Sequence, residues 1–341
     1  MRHRSAFAGA LALAAITLTV FGAGSASATP VFSLRVEAPG ATLDRGTHYA
    51  IPSITSAPRG DLNAAGTCVG APGRVPLASG TAIGLIAAAA TTSRSLSPLY
   101  VAENAFGKRV CRIGDFAERD APFSGWLFRH NHAAPPMSAE LVALDKGSEV
   151  LWVFADFGSS INTGDELVLS APVRARPGTI QVSVQAVSFE GEVKPAPDGT
   201  VVTGGAAPVS TAGGAASVPV VAGKTSLRAV GPGSAPSEIP SQQLSLCVAD
   251  RLKDCPRSRG RRIVGSNDGD SLKGTPGPDR IRSRGGPDKV RVSGGGADFV
   301  NCGKGKDVVV ADKRDKLRRC ERVRGSAGKG SSKKGKGDRK K

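Results

Sequence analysis

Apolar and polar positions alternate across residues 31–37. Phe32, Leu34 and Val36 fall on one side and Ser33, Arg35 and Glu37 on the other, the period of a strand with one buried face. A Gly/Pro-rich connection follows. Residues 81–92 are Ala-rich with Ile83, Leu85, Ile86 and Ala90, and Thr81 stands at an N-cap position, so this stretch predicts a helix. Short apolar runs at 99–102, 109–113, 125–128, 140–144 and 150–154 predict strands, giving an α+β domain over 29–158 with an antiparallel sheet and one helix. Residues 172–177 read as a linker. Beyond them, Ile180, Val182, Val184 and Ala186 alternate with polar residues, and short apolar runs recur at 201–202, 218–221, 225–230 and 244–248. Turn-punctuated strands at that spacing predict an all-β sandwich over 172–249.

From Gly265 onward the rhythm changes to nine residues. Asp270, Asp279, Asp288, Asp298 and Asp307 are each followed two residues later by an aliphatic: Leu272, Ile281, Val290, Val300 and Val309. Glycine precedes the last four aspartates by two residues, and one extra residue, Val292, interrupts the period. The pattern resembles the RTX (hemolysin-type) nonapeptide, whose turn-and-short-strand units stack into a parallel β-roll. Ca2+ takes six to eight oxygens from carboxylates and carbonyls, and glycine lets a turn aim its carbonyls inward. The resemblance implies calcium held between turns two repeats apart, pairing Asp270 with Asp288, Asp279 with Asp298 and Asp288 with Asp307. The extra residue is expected to break the register of two of these pairings. Cationic residues at the variable positions, such as Lys273, Arg280, Arg284 and Lys306, place any such sites in the weak, extracellular affinity range of about 10⁻⁴ to 10⁻³ M.

Charge divides the chain. Residues 251–341 hold 28 Lys+Arg against 11 Asp+Glu, whereas residues 1–250 hold 18 of each, so the formal charge of +17 belongs to the last quarter. The 325–341 segment is Gly, Ser and Lys without an apolar run, which predicts a disordered basic tail after a repeat region at 250–324. Partners of that chemistry are anionic polymers such as those of a cell wall. The lack of aromatics for base stacking argues against nucleic acid. A basic start, a short apolar run and Ala26-Ser27-Ala28 read as a secretory signal peptide over 1–28, with no later transmembrane stretch, so the chain is expected to be exported and extracellular. The even cysteine count fits disulfides. Fifteen pairings are possible for six cysteines; the local set, Cys68 with Cys111, Cys247 with Cys255 and Cys302 with Cys320, staples each module and is preferred.

The Gly125-Trp126-Leu127-Phe128-Arg129-His130-Asn131 run and the later Ser148-Glu149-Val150-Leu151-Trp152-Val153-Phe154 run resemble a family of bacterial secreted domains of unknown function similar to the C-terminal domain of transcobalamin, over about 30–158. That resemblance implies binding or adhesion, with Trp126, Asn131 and Trp152 as candidates to line a cleft for a small-molecule cofactor. His130 and His132 supply two metal ligands where zinc wants three or four, so a solvated turn is preferred there. The Thr211–Ala216 segment is similar to a turn of bacterial Ig-like and carboxypeptidase-regulatory-like sandwiches. Catalytic motifs of hydrolases, zinc proteases and nucleotide-binding enzymes are missing from the sequence. Together these features predict a secreted, non-enzymatic modular surface protein that binds calcium through its repeats. Anchoring to wall polymer through the basic region and cofactor capture by the first domain are the alternatives.

Overall fold

The structure is a computed structural model, and it describes residues 28–104, 107–121, 123–156, 164–232 and 238–325. The expected leader, apart from Ala28, and the expected tail, apart from Gly325, lie outside these. Among the described residues no helix is long and apolar enough to cross a membrane.

Strands Ala41–Ala50, Val31–Ala38, Glu149–Asp156 and Phe123–His130 lie side by side in that order. One face of this sheet, carrying Phe32, Leu34, Val36, Val150 and Trp152, meets the helix Ala82–Ala90 and a second sheet that includes Thr55–Leu62, Cys68–Leu77, Leu99–Asn104 and Gly107–Ile113. The helix is buried from Ala82 to Ala89, and Thr81 Oγ1 caps it by accepting from the Gly84 N–H at 3.2 Å. Gly84 is required there: a Cβ would stand 2.5 Å from the Ala78 carbonyl oxygen.

Three expectations for this part change. The sheet is mixed, because the chain passes through the second sheet and the helix before Glu149–Asp156 returns parallel to Val31–Ala38. Residues 140–144 form no strand; the carbonyls of Ala139 and Val142 instead accept the Ile83 and Ala82 N–H groups at 3.1 Å each, satisfying the start of the buried helix. The Gly/Pro-rich connection holds strands, with Ala57, Val75 and Leu77 buried among polar and glycine positions too irregular to show a period.

The polar side of Val31–Ala38 is also covered. Arg35 and Glu37 are 1% and 4% exposed because the sandwich packs over them. In the sandwich, Gly178–Val187 pairs with Glu166–Ser170 and Ala215–Val220, and Gly223–Val230 pairs with Leu244–Val248 and Val201–Thr203. The stretch expected as a linker contains Arg174–Ala175, which pairs with Cys247 and Val248. Three disulfides form in the expected pairs.

The repeats form a roll of two parallel stacks. Arg262–Val264, Arg280–Arg282, Phe299–Asn301 and Lys316–Arg318 make one; Ser271–Lys273, Lys289–Arg291, Val308–Val310 and Arg322–Arg324 make the other. The central aliphatics Ile263, Leu272, Ile281, Val290, Val300 and Val309 fill the space between them. The first stack continues the N-terminal sheet: His48 and Tyr49 pair in parallel with Ile263 and Val264, producing one nine-stranded sheet. Thr29 ties down the other stack through its N–H to the Ser271 carbonyl and its Oγ1 to the Ser271 N–H, both at 2.8 Å.

Candidate metal centre

The five predicted aspartates, with Asp315, are each no more than 5% exposed. Each turn bends its carboxylate back onto the preceding coil. The Asp270 N–H donates to Asp288 Oδ1 at 2.8 Å, the Asp279 N–H to Asp298 Oδ1 at 2.7 Å and the Asp288 N–H to Asp307 Oδ1 at 2.9 Å. These are the three pairings expected from the sequence, brought together through backbone amides. The register is intact, contrary to expectation. Ile281 pairs with Ile263 before the insertion and with Val300 after it. Val292 is swallowed by the roll interior at 3% exposure, so the extra residue lengthens one turn and leaves the strands aligned.

The second carboxylate oxygens divide the repeats into two kinds, and the residue four before each aspartate differs between them. In the first repeat Asp270 Oδ2 accepts from the Ser266 N–H at 2.7 Å and the Ser266 hydroxyl at 3.1 Å. In the second, the Thr275 N–H donates to Asp279 Oδ2, while the Thr275 hydroxyl and the Arg261 N–H reach Oδ1 at 2.8 and 2.6 Å. Arg284, Gly294 and Gly303 occupy that position in the later repeats and offer no hydroxyl. There the Oδ2 atoms of Asp288, Asp298 and Asp307 are buried without a hydrogen-bond partner. The Ser283 hydroxyl donates to the Cys302 carbonyl at 2.7 Å and lies close enough to Asp288 to oppose the rise of its carboxyl.

Burial of an ionised carboxylate without full hydrogen bonding is expensive. Desolvation, aided by the charge of neighbouring repeat carboxylates, pushes Asp288 and Asp298 up to about 6. Asp270, Asp279 and Asp307 are also raised by burial, opposed by the amides they accept.

The donor chemistry suits a hard cation: carboxylate and carbonyl oxygens, the groups that calcium takes, lie near one another in turns two repeats apart. Gly295 packs tightly there, and a Cβ on it would stand 2.8 Å from the Thr275 carbonyl oxygen, 3.5 Å from Asp298 Oδ2 and 3.6 Å from the Gly277 carbonyl oxygen. Among the described residues no three His, Cys, Asp or Glu side chains group around one point. Arg314 donates to the Gly295 carbonyl and adds positive charge to this turn, which opposes a cation.

Sequence reasoning missed the Ser266 and Thr275 hydroxyls and two further units. Asp315 with Leu317 and Glu321 with Val323 continue the acid-x-aliphatic rhythm at shortened spacing, and their strands complete the two stacks. Asp315 Oδ1 accepts the Asp298 N–H at 3.1 Å and Glu321 Oε2 the Asp307 N–H at 3.0 Å, extending both ladders.

The other predicted residues are scattered. Trp126 and Trp152 are core groups, 8% and 2% exposed, packed on Phe154 and Phe128 with ring centroids 5.1 and 5.2 Å apart. Asn131 sits in a tight turn at φ 51°, its Oδ1 accepting from the Glu149 N–H at 2.9 Å. His130 Nε2 meets Ser148 Oγ at 2.9 Å and His132 Nδ1 meets Glu166 Oε1 at 3.0 Å, so the two rings serve different partners.

Comparison of the chain with family models, curated proteins and solved structures finds no match.

Proposed function

We propose that this chain is an exported, non-enzymatic surface protein whose C-terminal roll binds calcium, and that the ions sit in the turns of Asp288, Asp298 and Asp307. The observation that carries this reading is the unpartnered, buried Oδ2 on each of those three aspartates. Asp270 and Asp279 have a structural role in it: Ser266 and Thr275 already supply what a cation would. Calcium then removes the penalty of the buried charges and stiffens the roll against the N-terminal sheet. The test is thermal unfolding of the full chain in EGTA and in 5 mM calcium. The wild type gains stability from calcium, and D288N/D298N/D307N gains none; an equal gain in both rejects the reading.

A second reading is supported by the outer faces of the roll. One stack exposes Arg262, Arg280, Arg282, Lys316 and Arg318, the other Lys273, Lys289, Arg291, Arg322 and Arg324. Rungs about 4.8 Å apart turn these into columns of positive charge suited to an anionic wall polymer. Binding of polyanion to the full chain should fall steeply with salt; salt-insensitive retention speaks against it.

A further inference from the structure

The roll, the sandwich and the N-terminal sheet meet around a cavity of about 660 Å³, a size typical of small-molecule sites. Arginines reach it from three separate segments: Arg45 from strand Ala41–Ala50, Arg259, Arg261 and Arg262 from the entry to the roll, and Arg282 and Arg284 from the second repeat strand and the turn after it. The ion pairs among the described residues include none made by these six. Arg45 Nη1 donates to Gln243 Oε1 at 3.0 Å, and Arg259 is held by neutral carbonyls of Ser245, Ala171 and Pro172 at 2.8 to 3.0 Å.

The one carboxylate in the wall, Asp44, is already consumed. Its Oδ1 accepts from the Gly46 and Thr47 N–H groups at 3.1 and 2.8 Å and its Oδ2 from the Tyr49 hydroxyl at 2.7 Å. Positive charge gathered in a concave site without a counter-charge calls for an anion from outside. Burial holds the Arg259 and Arg284 guanidinium groups below the usual arginine range, with Asp270 partly compensating Arg284. His48, beside Arg261, is pushed down to about 4 by burial and by that arginine, which keeps it neutral near pH 7.

The rest of the wall selects among anions. Thr42, Ser93 and Ser95 hydroxyls and the Gln242 and Gln243 amides also line the wall; Thr42 donates to Glu37 at 2.7 Å and Ser95 to the Leu43 carbonyl at 2.8 Å, so these oxygens are left to accept from hydroxyls. We infer that this three-way junction is a binding site for an anionic polyol unit, a sugar or glycerol carrying a carboxylate or phosphate, whose charge is taken by guanidinium forks and whose hydroxyls are read by the serine, threonine and glutamine rim. Arg262 and Arg282 also belong to one of the exposed columns on the roll; the junction adds Arg45, Arg259, Arg261 and Arg284 to them and encloses them in a concave wall, and it does not depend on calcium in the turns.

Titration calorimetry of the full chain with glucuronate and with glycerol 3-phosphate, using glucose and glycerol as uncharged controls, tests this. At least one anion should bind while both neutral controls do not, and whichever binds tells carboxylate from phosphate. Arg261→Ala/Arg262→Ala/Arg282→Ala should lose tenfold or more in affinity. Lys289→Ala/Arg291→Ala/Arg322→Ala, which removes equal charge from the other face, should lose less than threefold. Circular dichroism of both variants verifies that they are folded. Equal losses in the two variants, or no binding of either anion at 10 mM, a concentration well above ordinary site affinities, overturns the assignment.

Discussion

The backbone N–H of Asp279 donates to Oδ1 of Asp298 at 2.7 Å, while the other oxygen of Asp298 is buried with no partner. One carboxylate thus does two jobs: it stitches consecutive coils and leaves a lone buried oxygen in the turn.

The raised Asp288 and Asp298 give the metal-free roll a defined pH response. A carboxyl whose folded value lies above its unfolded one contributes stability that is full below the unfolded value, near 4, and is lost as pH rises through about 6. In EGTA the roll should therefore melt higher at pH 5 than at pH 7.5, by on the order of 1–2 kcal/mol for each group. Calcium competes with the protons and should flatten that slope. The check is a set of melting curves between pH 4.5 and 8 with and without calcium.

Gly295→Ala would put a Cβ 2.8 Å from the Thr275 carbonyl oxygen, so the turn that carries Asp298 has to shift. The expected outcome is a lower melting temperature in EGTA and a smaller gain on adding calcium than in the wild type, both read from melting curves. An undiminished gain would place the ion away from this turn.

Thr275→Val removes the hydroxyl that serves Asp279. Leaving a buried carboxylate short of one donor costs about 1–3 kcal/mol, so the melting temperature should drop. The calcium stoichiometry should stay as in the wild type or rise by one.

Arg35 and Glu166, 2.6 Å apart and each 1% exposed, pin the N-terminal sheet to the sandwich. Glu166→Ala removes the nearer partner of a buried guanidinium, leaving Glu37 at 3.8 Å, and should destabilise the chain by up to about 3–5 kcal/mol. His132 adds a pH signature. Burial opposes ionisation of Glu166, but the hydrogen bond from His132 and the charge of Arg35 outweigh it and hold that carboxyl low. The same hydrogen bond raises His132. The histidine's contribution is therefore full below its ordinary value near 6.5 and is lost as pH rises through the raised value. His132→Ala should thus lower the melting temperature more at pH 5.5 than at pH 8.

The aspartates and the aliphatics that follow them were legible because their period is carried by side chains that must face inward. The kind of turn was not: only the fold reveals that Ser266 and Thr275 reach Oδ2 where Arg284, Gly294 and Gly303 cannot. Helix Ala82–Ala90 and its Thr81 cap were readable from composition and one hydroxyl. The junction of His48 and Tyr49 with Ile263 and Val264 left no mark in sequence, since parallel edge pairing uses backbone groups every residue owns. Arg35 and Glu37 looked solvent-facing because alternation shows which face is apolar, and cannot show that the polar face is covered as well.

Counting calcium by equilibrium dialysis of the full chain addresses the central assignment most directly. Millimolar calcium, the range of weak extracellular sites, should load the wild type and the Asp270→Asn/Asp279→Asn variant to the same stoichiometry, and leave Asp288→Asn/Asp298→Asn/Asp307→Asn empty. Calcium retained in that triple variant, or lost when only Asp270 and Asp279 are changed, would contradict the division of the repeats into hydroxyl-satisfied and metal-ready turns.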